Sequence, residues 1–413
     1  MACTRVNQAQ PQRPLVLIFA RFYLPGYRAG GPIHSVANLV AALKDEFDFR
    51  IVTSDRDLGD RHSYPGIKAD AWQEVDGVRV LYLSPGPLRW WRIGWLLRAL
   101  GYDMIYLNGF LPVSFSILPL WLWYFGMARQ APLLLAPRGE FSLGALALGA
   151  SKKYHYLKLV KLIGLCKNVF WHASATPEKV DILRCFNDAH GLNTNPPFLE
   201  KRVFIGSNIT AQQSPDFSNR VRPDRTKTPG SLLVTFVSRI SRKKNLETAL
   251  RILAGTRGEV VFNIYGPIED AGYWAGCQQL SKELPPNVKV NYRGELAHNQ
   301  VVAVFQSHHL FLFPTRGENF GHVIMEALSS GCPVLLSDQT PWRQLREKGV
   351  GWDLPLDQIA AFQEAIQECV EMDDDKFQRF SRQAEMFGLQ FVSNPAHIEQ
   401  NRAMFRSVLT TGT

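Results

Sequence analysis

The sequence predicts an α/β protein made of two doubly wound, Rossmann-like domains with parallel sheets. Three observations predict it. The 413 residues exceed one ordinary hydrophobic core and suit two domains of roughly 200 residues each. Short, continuously apolar runs alternate with amphipathic stretches from one end of the chain to the other. A stretch rich in Ser, Pro, Asn, Arg and Thr, 207–231, splits those runs into two series.

The first series of expected strands lies at 15–20, 49–54, 78–83, 104–107, 133–137, 169–172 and 203–205. The second lies at 232–238, 260–265, 288–292, 310–314 and 334–337. Most of these runs are apolar throughout rather than alternating, as required when helices cover both faces of a parallel sheet. The segments between them keep helical spacing; Ile33, Val36, Ala37, Val40 and Leu43 share one face. After Trp352 the chain turns helical, with Ile359, Phe362, Ile366 and Val370 on one stripe, and helical stretches at 376–391 and 396–409 close it. The expected organisation is therefore a first domain at 1–207, a linker at 208–231, a second domain at 232–390, and a C-terminal helix at 391–413 that returns to the first domain. The apolar stretch 110–126 is shorter than the roughly 20 residues a bilayer needs, and Pro112 and Pro119 interrupt it. A buried helix is expected there.

Composition narrows the function. Apolar residues at 46% and charged residues at 20% exclude disorder and fibrous repeats. The six cysteines are scattered without a C-x-x-C spacing, which argues against a zinc site or a disulfide framework and fits a reducing compartment. The polar residues 1–14 lack the apolar core of a secretion signal, so a cytoplasmic protein is expected. A net charge of +9 asks for an acidic partner: nucleic acid, an anionic membrane face, or a phosphorylated small molecule. No nucleic-acid-binding signature is present, which ranks nucleic acid last. Cations interleave with aromatics at 88–98 and 152–161, a mixture suited to a lipid headgroup layer on the inner face of the cell membrane. The competing reading is a helix that buries its tryptophans and solvates its arginines.

Ligands of open parallel sheets bind beyond the carboxyl ends of the strands, so chemistry is sought in the loops there. The most informative loop follows the strand ending at Pro314. It carries Glu318, Asn319, Phe320 and Gly321, then enters a helix through Glu326 that stops at Gly331. Gly321 allows close backbone approach to a ligand, and two carboxylates near one helix start accept hydrogen bonds from vicinal hydroxyls. The free amides of that helix start suit a diphosphate. A second loop, after the first strand of the second domain, carries Arg239, Arg242, Lys243 and Lys244 before Asn245, an expected helix cap. Cations gathered beside a helix N-terminus oppose its dipole, which marks the cluster as functional, to neutralise a diphosphate. The alternative is a solvated basic turn. A third loop carries Gly30 and Gly31 before a helix, where bare backbone can meet a phosphate or sugar. No G-x-x-x-x-G-K-[ST] or H-E-x-x-H motif occurs, which removes the commonest NTPase and zinc-protease readings.

Together these residues resemble the retaining GT-B type glycosyltransferases of the group four family, in the branch that builds bacterial polysaccharides and lipid-linked glycans. Gly30 and Gly31, the run from Pro137 to Glu140, that from His172 to Glu178, the pair Arg239 and Lys244, and the run from Glu318 to Glu326 carry the resemblance, which spans nearly the whole chain. It implies that Glu326 holds the ribose hydroxyls and Arg239 and Lys244 the diphosphate of a nucleotide-sugar donor. It also implies that Glu318 and the backbone of Asn319, Phe320 and Gly321 hold the transferred hexose, with Gly30 and Gly31 meeting the donor from the other domain. Where many relatives have a histidine after the fifth strand of the first domain, this chain has Arg138 and Gly139. Arg138 and His172 are therefore acceptor-side candidates, although His172 also reads as a packed core histidine. No cofactor and no metal are expected, since no Asp-x-Asp pair ends a strand. The acceptor is expected to be a glycan or lipid-linked. A sugar-nucleotide 2-epimerase and a non-catalytic sugar-nucleotide or membrane-surface binder are the alternatives on the same architecture.

Overall fold

A computed structural model describes residues 13–147, 150–187, 199–210 and 225–411. The chain divides into two compact units. Unit 1 comprises 1–140, 151–209 and 397–413; unit 2 comprises 141–150 and 210–396. Most of the polar stretch expected as a linker, 211–224, lies outside the described residues.

Unit 1 holds an eight-stranded sheet. Its strands are β1 (Leu15–Ala20), β2 (Asp48–Ser54), β3 (Trp72–Val75), β4 (Val78–Leu83), β5 (Met104–Asn108), β6 (Leu133–Ala136), β7 (Phe170–Ala173) and β8 (Val203–Ile205), in spatial order β3-β4-β2-β1-β5-β6-β7-β8. All neighbours are parallel except β3, which pairs antiparallel with β4. β1, β5 and β6 are buried at every residue, so side chains of both faces are covered, as the continuous apolar runs require. The helices along this part of the chain are α1 (Gly31–Leu43), α2 (Pro87–Ala99), α3 (Leu118–Tyr124), α4 (Leu143–Ala147), α5 (Ala150–Leu162) and α6 (Thr176–Asn187). α4 falls in unit 2.

Unit 2 holds β9 (Ser231–Val237), β10 (Glu259–Tyr265), β11 (Val288–Tyr292), β12 (Leu310–Phe313), β13 (Val334–Ser337) and β14 (Gly351–Leu354). Their order, β11-β10-β9-β12-β13-β14, is all parallel and is the doubly wound 3-2-1-4-5-6 arrangement. The helices are α7 (Leu246–Leu253), α8 (Ala271–Lys282), α9 (His298–Gln306), α10 (His322–Ser329), α11 (Ile359–Glu371), α12 (Asp374–Val392) and α13 (Ala396–Thr411). The order in which strands are added reverses between β9 and β12, the place where the loops after two neighbouring strands of such a sheet diverge and leave a crevice. α13 belongs to unit 1: Met404, Phe405 and Val408 enter its core, and Phe405 stacks on Tyr106 at 5.8 Å.

The structure corrects several expectations. It adds two strands to the expected set, the antiparallel edge β3 and the last strand β14. The stretch 110–126 is not one buried helix. It starts as a π-helical turn, Val113–Ile117, in which the amides of Ile117 and Leu118 reach back five residues to Pro112 O and Val113 O, and runs into α3. Its outer residues Val113, Tyr124 and Phe125 are exposed. Of the two readings of α2, the one that buries its tryptophans does not hold: Trp90, Trp91 and Trp95 all face solvent. The five described cysteines are buried and form no disulfide with one another.

Candidate active site

In unit 2 the loops after β9 and β12 meet at the crevice between those strands. Lys244, at the end of the β9 loop, forms an ion pair with Glu318 in the β12 loop. Both side chains are only 12% exposed, so neither charge is tolerable without the other. Lys244 also lies 5.5 Å over the Phe313 ring. The backbone fixes this contact: Arg316 N–H donates to Lys243 O at 2.8 Å, and Thr315 Oγ1 to the same oxygen at 3.2 Å. Glu318 N–H donates to Gln339 O at 2.9 Å, which ties the β12 loop to the loop after β13.

Asn245 stands before α7 as expected, but its side chain does not cap that helix. It adopts a left-handed backbone, φ 62°, and its Nδ2 donates to Pro314 O at 2.8 Å. The asparagine thus binds the two loops together instead of satisfying a helix amide. Arg239 pairs with Glu269 at 3.0 Å and Arg242 with Asp270 at 3.3 Å, so two of the four cations in the cluster answer acids in the loop after β10. The Arg239 pair is open to solvent and is weak by itself.

Gly321 precedes α10 with φ 77°, and a Cβ there would meet Ile324 Cδ1 at 2.7 Å. Phe320 is buried, its carbonyl accepting Trp342 Nε1–H at 2.6 Å and its ring packing on Trp342 and Phe391. That anchor holds the Asn319–Phe320–Gly321 backbone in place at the helix start. Glu326 lies one turn inside α10, and burial pushes its carboxyl up to about 7. α10 closes on Gly331, φ 71°, whose N–H bonds Leu328 O while Cys332 N–H bonds Ala327 O, a Schellman stop.

Unit 1 gathers its own candidates at the ends of β1, β5, β6 and β7. Gly30 has φ 70° and open space where a Cβ would stand, and Gly31 begins α1. The preceding turn is held by Asp57, whose carboxylate accepts the amides of Tyr27 and Arg28 at 2.8 and 3.0 Å. Asn108 at the end of β5 donates to Pro32 O at 3.3 Å and accepts Arg138 Nε–H at 2.7 Å. Arg138, itself left-handed at φ 55°, also donates to Asn208 Oδ1 and to Tyr106 OH. The Tyr106 hydroxyl lies 2.8 Å from His172 Nδ1, and His172 Nε2 lies 2.8 Å from Gly206 O. A carbonyl only accepts, so the imidazole proton sits on Nε2 and Nδ1 accepts from Tyr106. Burial, then Arg138, holds His172 down to about 3, and it stays neutral inside the network. Arg138 is thereby fixed by three acceptors.

Several contributing residues stood outside the expected site: Asp57, Tyr106, Asn108 and Asn208 in unit 1, and Glu269 with Gly266, which follows β10 at φ 135°, in unit 2. Gly266 alone had a legible signal, a Gly-Pro directly after an apolar strand. Among the described residues no group of three or more His, Cys, Asp or Glu side chains could hold a metal ion.

Residues 218–386, which span most of unit 2, match the family described as glycosyl transferases group 1. No curated protein sequence matches the chain. Solved structures match it over nearly its full length at low identity. Anabaena Alr3699/HepE, in complex with UDP and glucose, shares 16% identity with a TM-score of 0.67 and covers 96% of this chain and 100% of its own. Sucrose-phosphate synthase from Thermosynechococcus elongatus shares 18% with a TM-score of 0.67, over 97% of this chain and 100% of its own. A trehalose-6-phosphate protein from E. coli bound with UDP-2-fluoro glucose shares 11% with a TM-score of 0.66, over 96% and 99%. The fold is GT-B, and the second unit carries the group 1 glycosyl transferase match.

Proposed function

We propose that this chain, a GT-B glycosyltransferase by fold and by the match of its second unit, moves a hexose from a nucleoside-diphosphate donor to a hydroxyl of a glycan or lipid-linked acceptor, with retention of configuration. The observation that carries the reading is the Lys244–Glu318 pair across the β9/β12 crevice. It sets a largely buried cation beside a carboxylate, next to the start of α10, whose dipole favours an anion, where a diphosphate and the hexose attached to it have complementary partners. The nucleotide complexes of the matching structures support a donor of this kind.

In this reading Arg239 and Lys244 bind the diphosphate, Glu326 the ribose, and Glu318 with the backbone of Asn319, Phe320 and Gly321 the hexose. The bond from the anomeric carbon to the diphosphate oxygen breaks as the acceptor oxygen bonds to the same face of the sugar. The acceptor proton passes to the departing phosphate oxygen. The diphosphate leaves without prior activation, so the protein supplies positioning, charge stabilisation and exclusion of water. No metal is required, and the predicted rate is unchanged in chelator. Incubation with a panel of nucleotide hexoses and glycan or polyprenyl acceptors tests the reading, with anomer-resolved NMR of the first product. A new glycosidic bond of the donor's anomeric configuration supports it; an inverted product removes retention, and an isomerised donor without acceptor replaces transfer by epimerisation.

Glu326 adds a pH dependence. Its raised carboxyl binds a proton more tightly in the folded chain than in the unfolded one. The stabilisation this gives is complete below about pH 4.5 and declines as pH rises towards about 7. Ribose hydroxyls donate best to the ionised form, so affinity for UDP should rise with pH by up to roughly tenfold per unit until about pH 7 and then level off. Calorimetric titrations from pH 6 to 8 on wild type and Glu326→Gln check this. The variant should keep only the weaker titration of the diphosphate itself.

A further inference from the structure

A surface helix ordinarily turns its apolar side chains to the core. α2 does so with Ile93, Leu96 and Leu97. Its outer face nevertheless carries Leu88, Trp91 and Trp95, spaced i, i+3, i+7 and 66%, 77% and 67% exposed. A stripe of indoles standing in water on a folded domain marks an interaction surface.

The stripe has neighbours of the same kind. Arg98 Nε donates to Met127 O and Arg129 N–H to Leu97 O, which fasten the end of α2 to the segment after α3. Phe125 and Met127 of that segment are exposed. The Tyr124 hydroxyl donates to Ile163 O at 2.6 Å and joins α3 to the end of α5, a helix along which Tyr154, Leu159 and Leu162 are exposed. Charge on these helices has one sign: α2 contains three arginines, α5 four lysines, and none of the three contains an Asp or Glu. Lys158 is exposed, one turn from both Tyr154 and Leu162.

We propose that the α2–α3–α5 face of unit 1 docks on an anionic lipid bilayer, with Trp91 and Trp95 at headgroup depth and Lys158 among the anionic headgroups. Indoles prefer that depth, where one edge is apolar and the other wet; on α2 Arg92 is paired with Asp70, so the cation offered to anionic lipid is the exposed Lys158 of α5. A protein partner would instead favour a contact centre depleted of charge. No helix among the described residues is long and apolar enough to cross a membrane, so the face lies on the bilayer. The inference rests on exposure and charge and needs no nucleotide, so it stands or falls separately from the transferase reading. If the acceptor is lipid-linked, docking holds unit 1 at the acceptor pool.

The test is co-sedimentation of the full chain with phosphatidylcholine vesicles, with and without phosphatidylglycerol, read together with tryptophan emission. Wild type should pellet with the anionic vesicles, shift its emission to the blue, and come off as salt is raised. The Trp91→Ser/Trp95→Ser variant should lose about tenfold in partitioning while its melting temperature holds, since both side chains point to solvent. Lys158→Glu should weaken binding to anionic vesicles alone. The proposal is overturned if wild type stays in the supernatant with both vesicles, or if the double variant partitions like wild type. Equal binding to neutral vesicles would remove the anionic specificity. A wild-type dimer by light scattering that the double variant dissolves, without vesicle binding, would instead assign the face to a second copy of the chain.

Discussion

Lys244→Ala should lower kcat/KM for transfer by about a thousandfold, a loss of roughly 4 kcal/mol in the transition state. Lys244 is paired with Glu318, and each side chain is 12% exposed. In the proposed reaction negative charge gathers on the diphosphate as its bond to the sugar breaks, and the cation is worth most at that moment. Removing it also leaves the Glu318 carboxylate unpaired beside the ligand's own negative charge, so the deletion adds a repulsion to a lost attraction. Affinity for UDP should fall less than kcat, because the ground-state diphosphate keeps Arg239 and the α10 amides. Steady-state kinetics with calorimetry of UDP binding separate the two effects. A variant with wild-type kcat would show that Lys244 serves only the fold. Glu318→Ala in the same cycle should couple strongly, since the partners share one contact.

Gly266→Ala should cost more than about 3 kcal/mol of unit 2 stability and abolish nucleotide binding. Gly266 follows β10 at φ 135°, and a Cβ there would lie 2.0 Å from Ser238 O and 2.6 Å from Ser238 C. Both are backbone atoms, so no side chain can turn away to make room. What must move is the start of the β9 loop that carries Arg239 and Lys244. The displacement would also break the Ile240–Ile268 bridge and the Arg239–Glu269 pair on the same two loops. A comparison glycine controls for composition. Gly276 lies inside α8 with nothing within 4 Å of where a methyl would stand, and Gly276→Ala should stabilise by about 0.5–1 kcal/mol. Thermal melts of the two variants should therefore move in opposite directions.

How far the sequence could be read depended on what decides each feature. Strands buried on both faces announce themselves, because every residue of β1, β6, β12 and β13 must be apolar or small. β3 is an edge strand with partly exposed side chains, and its weak alternation hid it. Its turn was nevertheless legible: Asp76 and Gly77, at φ 52° and 77°, form the Asp-Gly hairpin connection to β4. β14 depends on Gly351, where a Cβ would meet Val334 O at 2.0 Å, a constraint that no periodicity expresses. The loops holding Glu318 and Lys244 could be placed from strand ends and turn residues. Their pairing could not, since 74 residues separate them and the sheet order brings them together. The same holds for Arg138 and its partners Asn108 and Asn208, which come from three different strand ends. Asn245 stands before its helix as its residue type suggests, yet its side chain serves a neighbouring loop, and local capping rules cannot foresee a long-range acceptor. The tryptophans of α2 left two readings open for a related reason. A helix with aromatics on one side and leucines on another offers two apolar faces, and only packing decides which one the core takes.

The central claim is that the β9/β12 crevice of unit 2 receives the diphosphate and its sugar. Hydrogen exchange of the full chain, with and without UDP, ADP or GDP, addresses it most directly. The account predicts that one of these nucleotides slows amide exchange in 238–246 and 314–326, and that Glu326→Ala abolishes the effect. Binding that leaves both segments unchanged and protects amides elsewhere, or no binding by any of the three, would contradict it.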